Sequence, residues 1–508
     1  MQWTSDSIKL LGIVIPNDRT RIVDLNYIPK LKKIENTIKV WKQINLTIYG
    51  RVQLIKTYLV SQIIYLLSIL PAPPLVFIKQ LETLLFKFLW NDKTERIKRS
   101  TLHLAQPKGG IAMPHLPSFN YAIKLAWLKR YLDKDNSRTW KSLITNIMPI
   151  SEDYIWNCSL SIKDIDSLTD LIKNNFWKEV VQAWSVYNFH DINIEDISND
   201  VIKIVSQHIW FNSFIKVGNK VIFYRDWYRL GVKTIEDLLV NGTFMTYEQF
   251  INRYHINTNY LIYYGLLSAI PRQWKQKLNN NYNNNEHEDV PRTTMQKLLV
   301  MKKVCKGTYS IFLECSNSNQ LQLQGIAKWE TELHMSVEGN IEIIFNNIYN
   351  STMSTRLRAC QYQTLHKALV TNVDLMKWNL KDTEECTFCR EHPETLKHLL
   401  IDCTITSILW KKIISWLKRN TGIDTAITSE DIIFGCKNEQ FILYDLVFIV
   451  AKRYIYVSRC KEKQPAFVEF LYCLRSEKET EYECAKMYSK MERYEAKWGP
   501  LTGAFDNM

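Results

Sequence analysis

Four residues late in the chain have the types and spacing of a metal site. Cys386, Cys389, His398 and Cys403 follow the order Cys-x2-Cys-x8-His-x4-Cys. Three thiolates and one imidazole complete a tetrahedral zinc set and leave no coordination position for a substrate, so the chemistry they offer is structural stapling. The close Cys pair suits a knuckle turn, and His398 and Cys403 can approach from a following helix. The same residues also read as a buried Cys pair beside a His on a helix face, and spacing alone leaves both readings open.

No second constellation has catalytic spacing. Two-metal phosphoryl transfer needs closely placed carboxylates, and adjacent Asp-Asp does not occur in the sequence. Gly-x4-Gly-Lys-Ser/Thr, His-Glu-x2-His and Gly-x-Ser-x-Gly are also missing. No enzyme activity is expected of the chain by itself.

The positive charge is concentrated. Residues 1–130 hold 20 Lys and Arg against 7 Asp and Glu, an excess equal to the net +13 of the whole chain. A basic field of this kind is the footprint of a polyanion partner, although a solvated basic face kept for solubility has the same composition. Within it, Gly50 and Arg51 fall in the first turn of an expected helix, with Lys56 further along. A glycine there would let a phosphate approach the free amides while Arg51 donates in bidentate fashion. Arg96, Lys98 and Arg99 with Lys108, Gly109 and Gly110 form a second such site. Lys32, Lys33 and Lys42 add charge on the preceding helix. Contacts of this sort would hold a nucleic-acid backbone without reading its sequence.

The elements that must position these residues are mainly α-helical. At 508 residues the chain exceeds one core, and 46% hydrophobic content suffices for several. Residues 8–15 read as a strand and turn, a lone strand whose neighbours would lie upstream. Helices are expected over 25–44, 48–67 and 75–90, the second capped by Thr47 and the third started by Pro74. The second is apolar nearly all round from Tyr58 onward, but Lys56 and Gln62 interrupt it, so a bundle core is expected rather than a membrane span. Residues 221–227 read as a strand and 231–239 as a turn into a helix. The Asn-rich run 279–285 reads as linker. Apolar helices follow Cys403 and cover 441–457, and a charged helix covers 477–498. The expected organisation is an opening strand at 1–24, a helical bundle at 25–133, a helical middle at 134–278, a linker at 279–293 and a zinc-stapled domain at 294–508. The residues from Met1 to Asp6 have neither a basic n-region nor an apolar h-region. With 11 Cys not evenly paired, reduced thiols in a cytoplasmic or nuclear protein, not a secreted one, are expected.

These motifs resemble a family. The order Ile8-Lys9-Leu10-Leu11-Gly12-Ile13, Trp41, Gly50-Arg51 with Leu54-Ile55-Lys56, Phe88-Leu89-Trp90, and Lys108-Gly109-Gly110-Ile111-Ala112-Met113-Pro114 is similar to the palm end and thumb of LINE-type non-LTR retrotransposon reverse transcriptases. Lys328-Trp329-Glu330, the Cys/His cluster and Trp410 resemble the C-terminal segment of the same proteins. The resemblance implies one structural Zn2+ on Cys386, Cys389, His398 and Cys403. It implies a thumb-like bundle that binds RNA and RNA/DNA template-primer, with target DNA as a further partner and no small-molecule substrate. The family's endonuclease, fingers and Tyr-x-Asp-Asp carboxylates have no counterpart here, so the expected function is nucleic-acid binding without polymerase chemistry. The alternatives are a zinc-stabilised interaction scaffold, part of an active RNA-directed DNA polymerase, and a relic that folds poorly around its unpaired strand.

Overall fold

The run 8–15 is not one strand but most of a hairpin. In the computed structural model, Ser7–Leu10 and Ile13–Pro16 pair antiparallel, with Lys9 opposite Val14 and Leu10 opposite Ile13. The connecting Leu11 and Gly12 have φ of 49° and 80°. Positive φ at both turn positions matches the twist of the flanking strands, and Gly12 takes it without strain. The turn was hidden because Leu11, not Asn or Asp, occupies its first position. Gln2–Trp3 adds a third strand beside Ser7–Leu10. On the other edge, Val14 N–H donates to Asn26 Oδ1 at 2.9 Å and Asn26 Nδ2 donates to the Val14 carbonyl at 2.8 Å. A side-chain amide thus closes the edge as a strand would. The strand expected to lack partners finds them locally.

The structure describes residues 2–3, 6–133, 139–147, 153–281, 294–316, 323–337, 339–436 and 438–505. Most of the expected Asn-rich linker lies outside them; Asn279 to Asn281 end a helix, Arg272–Asn281. The rest is mainly α, with two short ribbons, Lys216–Val217 with Lys220–Val221 and Leu239–Val240 with Thr243–Phe244. Of the strand expected over 221–227 only Val221 is in a ribbon, and Arg225–Arg229 is already helical. The charged helix expected over 477–498 is two helices, Phe467–Met487 and Met491–Trp498, broken where Ser489 takes φ 53°.

The early helices run Ile22–Trp41, Ile48–Ile69 and Leu75–Leu89. Thr47 caps the second, its Oγ1 accepting the Gly50 N–H at 3.3 Å. That helix widens to a π-helical turn over Ile55–Val60. Among the described residues it is the one helix long and apolar enough to cross a membrane by length and composition. Its Ile55, Leu59, Ile63, Leu66 and Leu67 are nevertheless buried against protein.

The chain forms two compact units, each assembled from three separate stretches. The first comprises Met1–Lys33, Ser61–Gln80 and His115–Ser318. Its core runs from Ala122 to Phe312 and includes Trp177, Trp184, Trp210, Trp227 and Trp274. Val304–Ser316 belongs to this unit, because its Phe312 and Thr308 are buried there; the new region expected from 294 does not separate from the middle at that point. The second unit comprises Ile34–Val60, Leu81–Pro114 and Asn319–Met508. Its buried side chains include Trp329, Tyr362, Leu399, Leu409, Ile413 and Phe448.

Candidate metal centre

The knuckle is built by backbone geometry that the Cys-x2-Cys spacing requires. Cys386 N–H donates to the His392 carbonyl at 2.8 Å, and the Arg390 N–H returns to the Cys386 carbonyl at 3.0 Å. Arg390 takes φ 58° to close the turn. The Phe388 N–H points at Cys386 Sγ, 3.4 Å away. His398 opens a π-helical turn, His398–Asp402, whose closing bond runs from Cys403 N–H to the His398 carbonyl at 2.8 Å. The wider turn lets ligands five residues apart face the same point. Cys403 then sits at the N-cap of the helix Thr404–Thr421.

The four donor atoms lie within 4.8 Å of one another. Cys386 Sγ and Cys403 Sγ are 3.9 Å apart, and Cys389 Sγ is 3.3 Å from His398 Nε2. A tetrahedron with Zn–S bonds of about 2.3 Å has sulfur–sulfur edges of about 3.8 Å, so the donor set fits the ion. Cys386, His398 and Cys403 are buried and Cys389 is partly so. The hydrogen bond from Cys386, helped by the Thr406 and Ile405 amides at the helix start, holds the Cys403 thiol below its ordinary value; the same bond pushes Cys386 up. A thiol lowered at a helix N-terminus suits a zinc ligand.

Residues 329–410 match the protein family described as zinc-binding in reverse transcriptase. The chain carries a reverse-transcriptase-type zinc-binding segment. Its first and last residues are both anchored: Trp329 Nε1 donates to the Thr364 carbonyl at 2.9 Å and Trp410 Nε1 to the Leu400 carbonyl at 2.7 Å.

The knuckle is fastened to the rest of its unit by residues that the sequence reading missed. Glu394 is fully buried. Its carboxylate accepts from Asn372 N–H at 3.0 Å, Thr387 N–H at 2.8 Å and Arg459 Nε at 2.7 Å. Arg459 Nη2 also donates to Asn372 Oδ1 at 2.6 Å, and Asn372 Nδ2 to the Glu385 carbonyl at 2.6 Å. Arg459 lies on the helix Ile442–Cys460, where the buried acidic and basic side chains Asp445, Lys452 and Arg459 recur every seven positions. That spacing on an otherwise apolar helix was the available signal, since seven residues return to nearly the same face. Asp445 accepts from the Cys436 N–H and Asn347 Nδ2, and Lys452 donates to the Ile432 and Ile433 carbonyls. Burial pushes Asp445 up to about 6 and Lys452 down to about 7.

The basic residues singled out from the sequence divide sharply. Lys32, Lys33, Lys98 and Lys108 are exposed. Arg51 is only 4% exposed; its Nη1 donates to the Phe88 carbonyl at 2.9 Å and the guanidinium lies over the Phe88 ring. The Gly50 amide is used by Thr47. Arg51 therefore ties two helices together instead of facing a phosphate, which corrects the expectation for that pair. Half-buried Arg96 pairs with Asp374 at 2.9 Å and packs over Trp378. Arg99 pairs with Glu95 and covers Phe86; Lys42 pairs with Asp92. Lys56 is half-buried.

Gly109 and Gly110 are buried, and their lack of side chains serves packing. A Cβ on Gly110 would sit 2.0 Å from the Leu104 carbonyl oxygen. One on Gly109, where φ is +88°, would meet Leu323 Cδ1 at 2.7 Å. The Gly109 carbonyl accepts from His366 Nε2 at 2.9 Å and Tyr362 Oη at 3.2 Å. The Gly-Gly turn is thus part of the packing of the zinc-binding segment, not an open phosphate cradle.

Proposed function

We propose that the chain is a nucleic-acid-binding portion of a LINE-type reverse transcriptase, with one structural zinc on Cys386, Cys389, His398 and Cys403. The observation that carries this reading is the convergence of those donors inside the reverse-transcriptase-type segment, with the Lys108-Gly109-Gly110 turn bonded to Tyr362 and His366 of the same segment. The four ligands leave no position for a substrate, so the zinc would order the protein and supply no chemistry of its own. RNA and RNA/DNA template-primer are the proposed partners, engaged through exposed cations such as Lys98 and Lys108. The chain alone would bind and not polymerise, in the cytoplasm or nucleus.

The test is salt-dependent binding of an RNA/DNA hybrid by zinc-loaded protein. Lys98→Ala with Lys108→Ala should lower the salt slope by about 2, at about 0.9 per lost phosphate contact. An unchanged slope and affinity would remove these lysines from the interface. DNA synthesis by the isolated chain on a primed RNA template would overturn the non-catalytic part of the reading.

A further inference from the structure

A basic groove in the first unit has no counterpart among the residues discussed above. It lies between the end of the helix Leu116–Leu132 and the turn leading into Val304–Ser316, with a volume of about 480 Å³. Lys129 and Arg130 line one side and Lys302, Lys303 and Lys306 the other; Asp133 is the one carboxylate lining it. Lys129 Nζ donates to the Met301 carbonyl at 2.6 Å, which fixes the two walls together. Arg130 packs over the Trp127 ring, 5.0 Å from its centre. Among the described residues no acid forms an ion pair with any of the five cations, unlike Lys42, Arg96 and Arg99.

The placement of the three lysines is electrostatically costly. They cluster at the N-terminal end of a 13-residue helix, where the helix dipole already presents positive charge. An anion in the groove relieves both the dipole and the mutual repulsion. The uncharged lining is confined to Ala126, Val304 and Cys305. This gives no apolar wedge for a bilayer and no aromatic shelf for a base.

We infer that this groove binds the phosphodiester backbone of a nucleic acid, without sequence preference. The inference rests on the nucleic-acid reading proposed above but concerns a different surface. The experiment compares the full, zinc-loaded chain with its Lys302→Gln/Lys303→Gln/Lys306→Gln variant, after zinc content and thermal unfolding are matched. The probe is a short RNA/DNA hybrid titrated at several salt concentrations, with phosphatidylserine vesicles in parallel. The variant should lose about 3 from the salt slope and bind on the order of 100-fold more weakly at about 0.1 M salt. Equal affinity and slope in variant and wild type would overturn the groove and leave the proposed function standing. Loss of vesicle binding with hybrid binding intact would overturn it in favour of a membrane surface. Failure of the wild type to bind the hybrid would overturn both.

Discussion

Replacing Arg459 with methionine tests whether the buried carboxylate of Glu394 fastens the metal knuckle. Glu394 has no solvent exposure and three hydrogen-bond donors, of which Arg459 alone carries charge. Removing one partner of a buried ion pair costs about 3–5 kcal/mol, chiefly because the other charge is stranded. The two backbone donors remain, so Arg459→Met should fall at the lower end, about 3 kcal/mol. Asn372 Oδ1 also loses its donor and adds to the cost. The double variant Glu394→Gln/Arg459→Met strands no charge and should be less destabilised than Arg459→Met alone. The assay is denaturant unfolding of the zinc-loaded chain, followed by tryptophan fluorescence. Thr387 sits between Cys386 and Cys389 and is held by Glu394. Zinc transfer to a competing chelator should therefore become easier, by about 10–100-fold in affinity, as for other outer partners of metal ligands. An Arg459→Met protein within about 0.5 kcal/mol of wild type, with unchanged zinc affinity, would refute the clamp.

Purified protein should contain one zinc per chain by elemental analysis, lost in Cys386→Ser, with unfolding of the 386–403 region seen by hydrogen exchange. Gly110→Ala should destabilise by several kcal/mol because its Cβ meets backbone, whereas Gly12→Ala, with open space around it and φ +80°, should cost only about 1 kcal/mol; chemical denaturation compares them. Burial holds His366 down to about 4, against 6.5 for the exposed group, and its Nε2–H donates to Gly109. Below 6.5 the unfolded chain takes up the proton first, so this stability is fully present above 6.5 and is lost as the pH falls through 4. Between pH 7.5 and 5 the wild type should lose about 2 kcal/mol more than His366→Leu. Arg51→Ala should lower stability by about 1.5–3 kcal/mol, since the Phe88 carbonyl loses a charged donor.

What was legible in the sequence followed from periodic burial and fixed ligand spacing. The helix after Cys403 carries an apolar face repeating at three and four residues, the helix over 442–460 is apolar nearly all round, and the four metal donors form a known order. Features that depend on distant partners were not legible. Gly109 and Arg51 look like phosphate contacts because glycine beside a cation is ambiguous until the packing neighbours are known. Leu323 and the Phe88 carbonyl decide the matter, and neither is close in sequence. The hairpin was missed for a local reason, an unusual first turn residue. The groove at Lys302 was missed because Lys129 and Arg130, which give it a second wall, lie more than 170 residues earlier.

The Gly-Gly turn also bears on how this protein can be cut into parts. A fragment starting at residue 319 would keep all four metal ligands and the whole family-matched segment. It would lack residues 81–114, and with them the carbonyl that meets His366 and Tyr362 and the backbone that covers Leu323. Such a fragment would load zinc yet expose an apolar seam, and aggregation is its expected fate. During synthesis the same dependence runs the other way. The 81–114 stretch can pack on residues 34–60 at once but must wait for its partners beyond residue 319 until about 200 further residues have left the ribosome, so completion of the second unit is a late and non-local event.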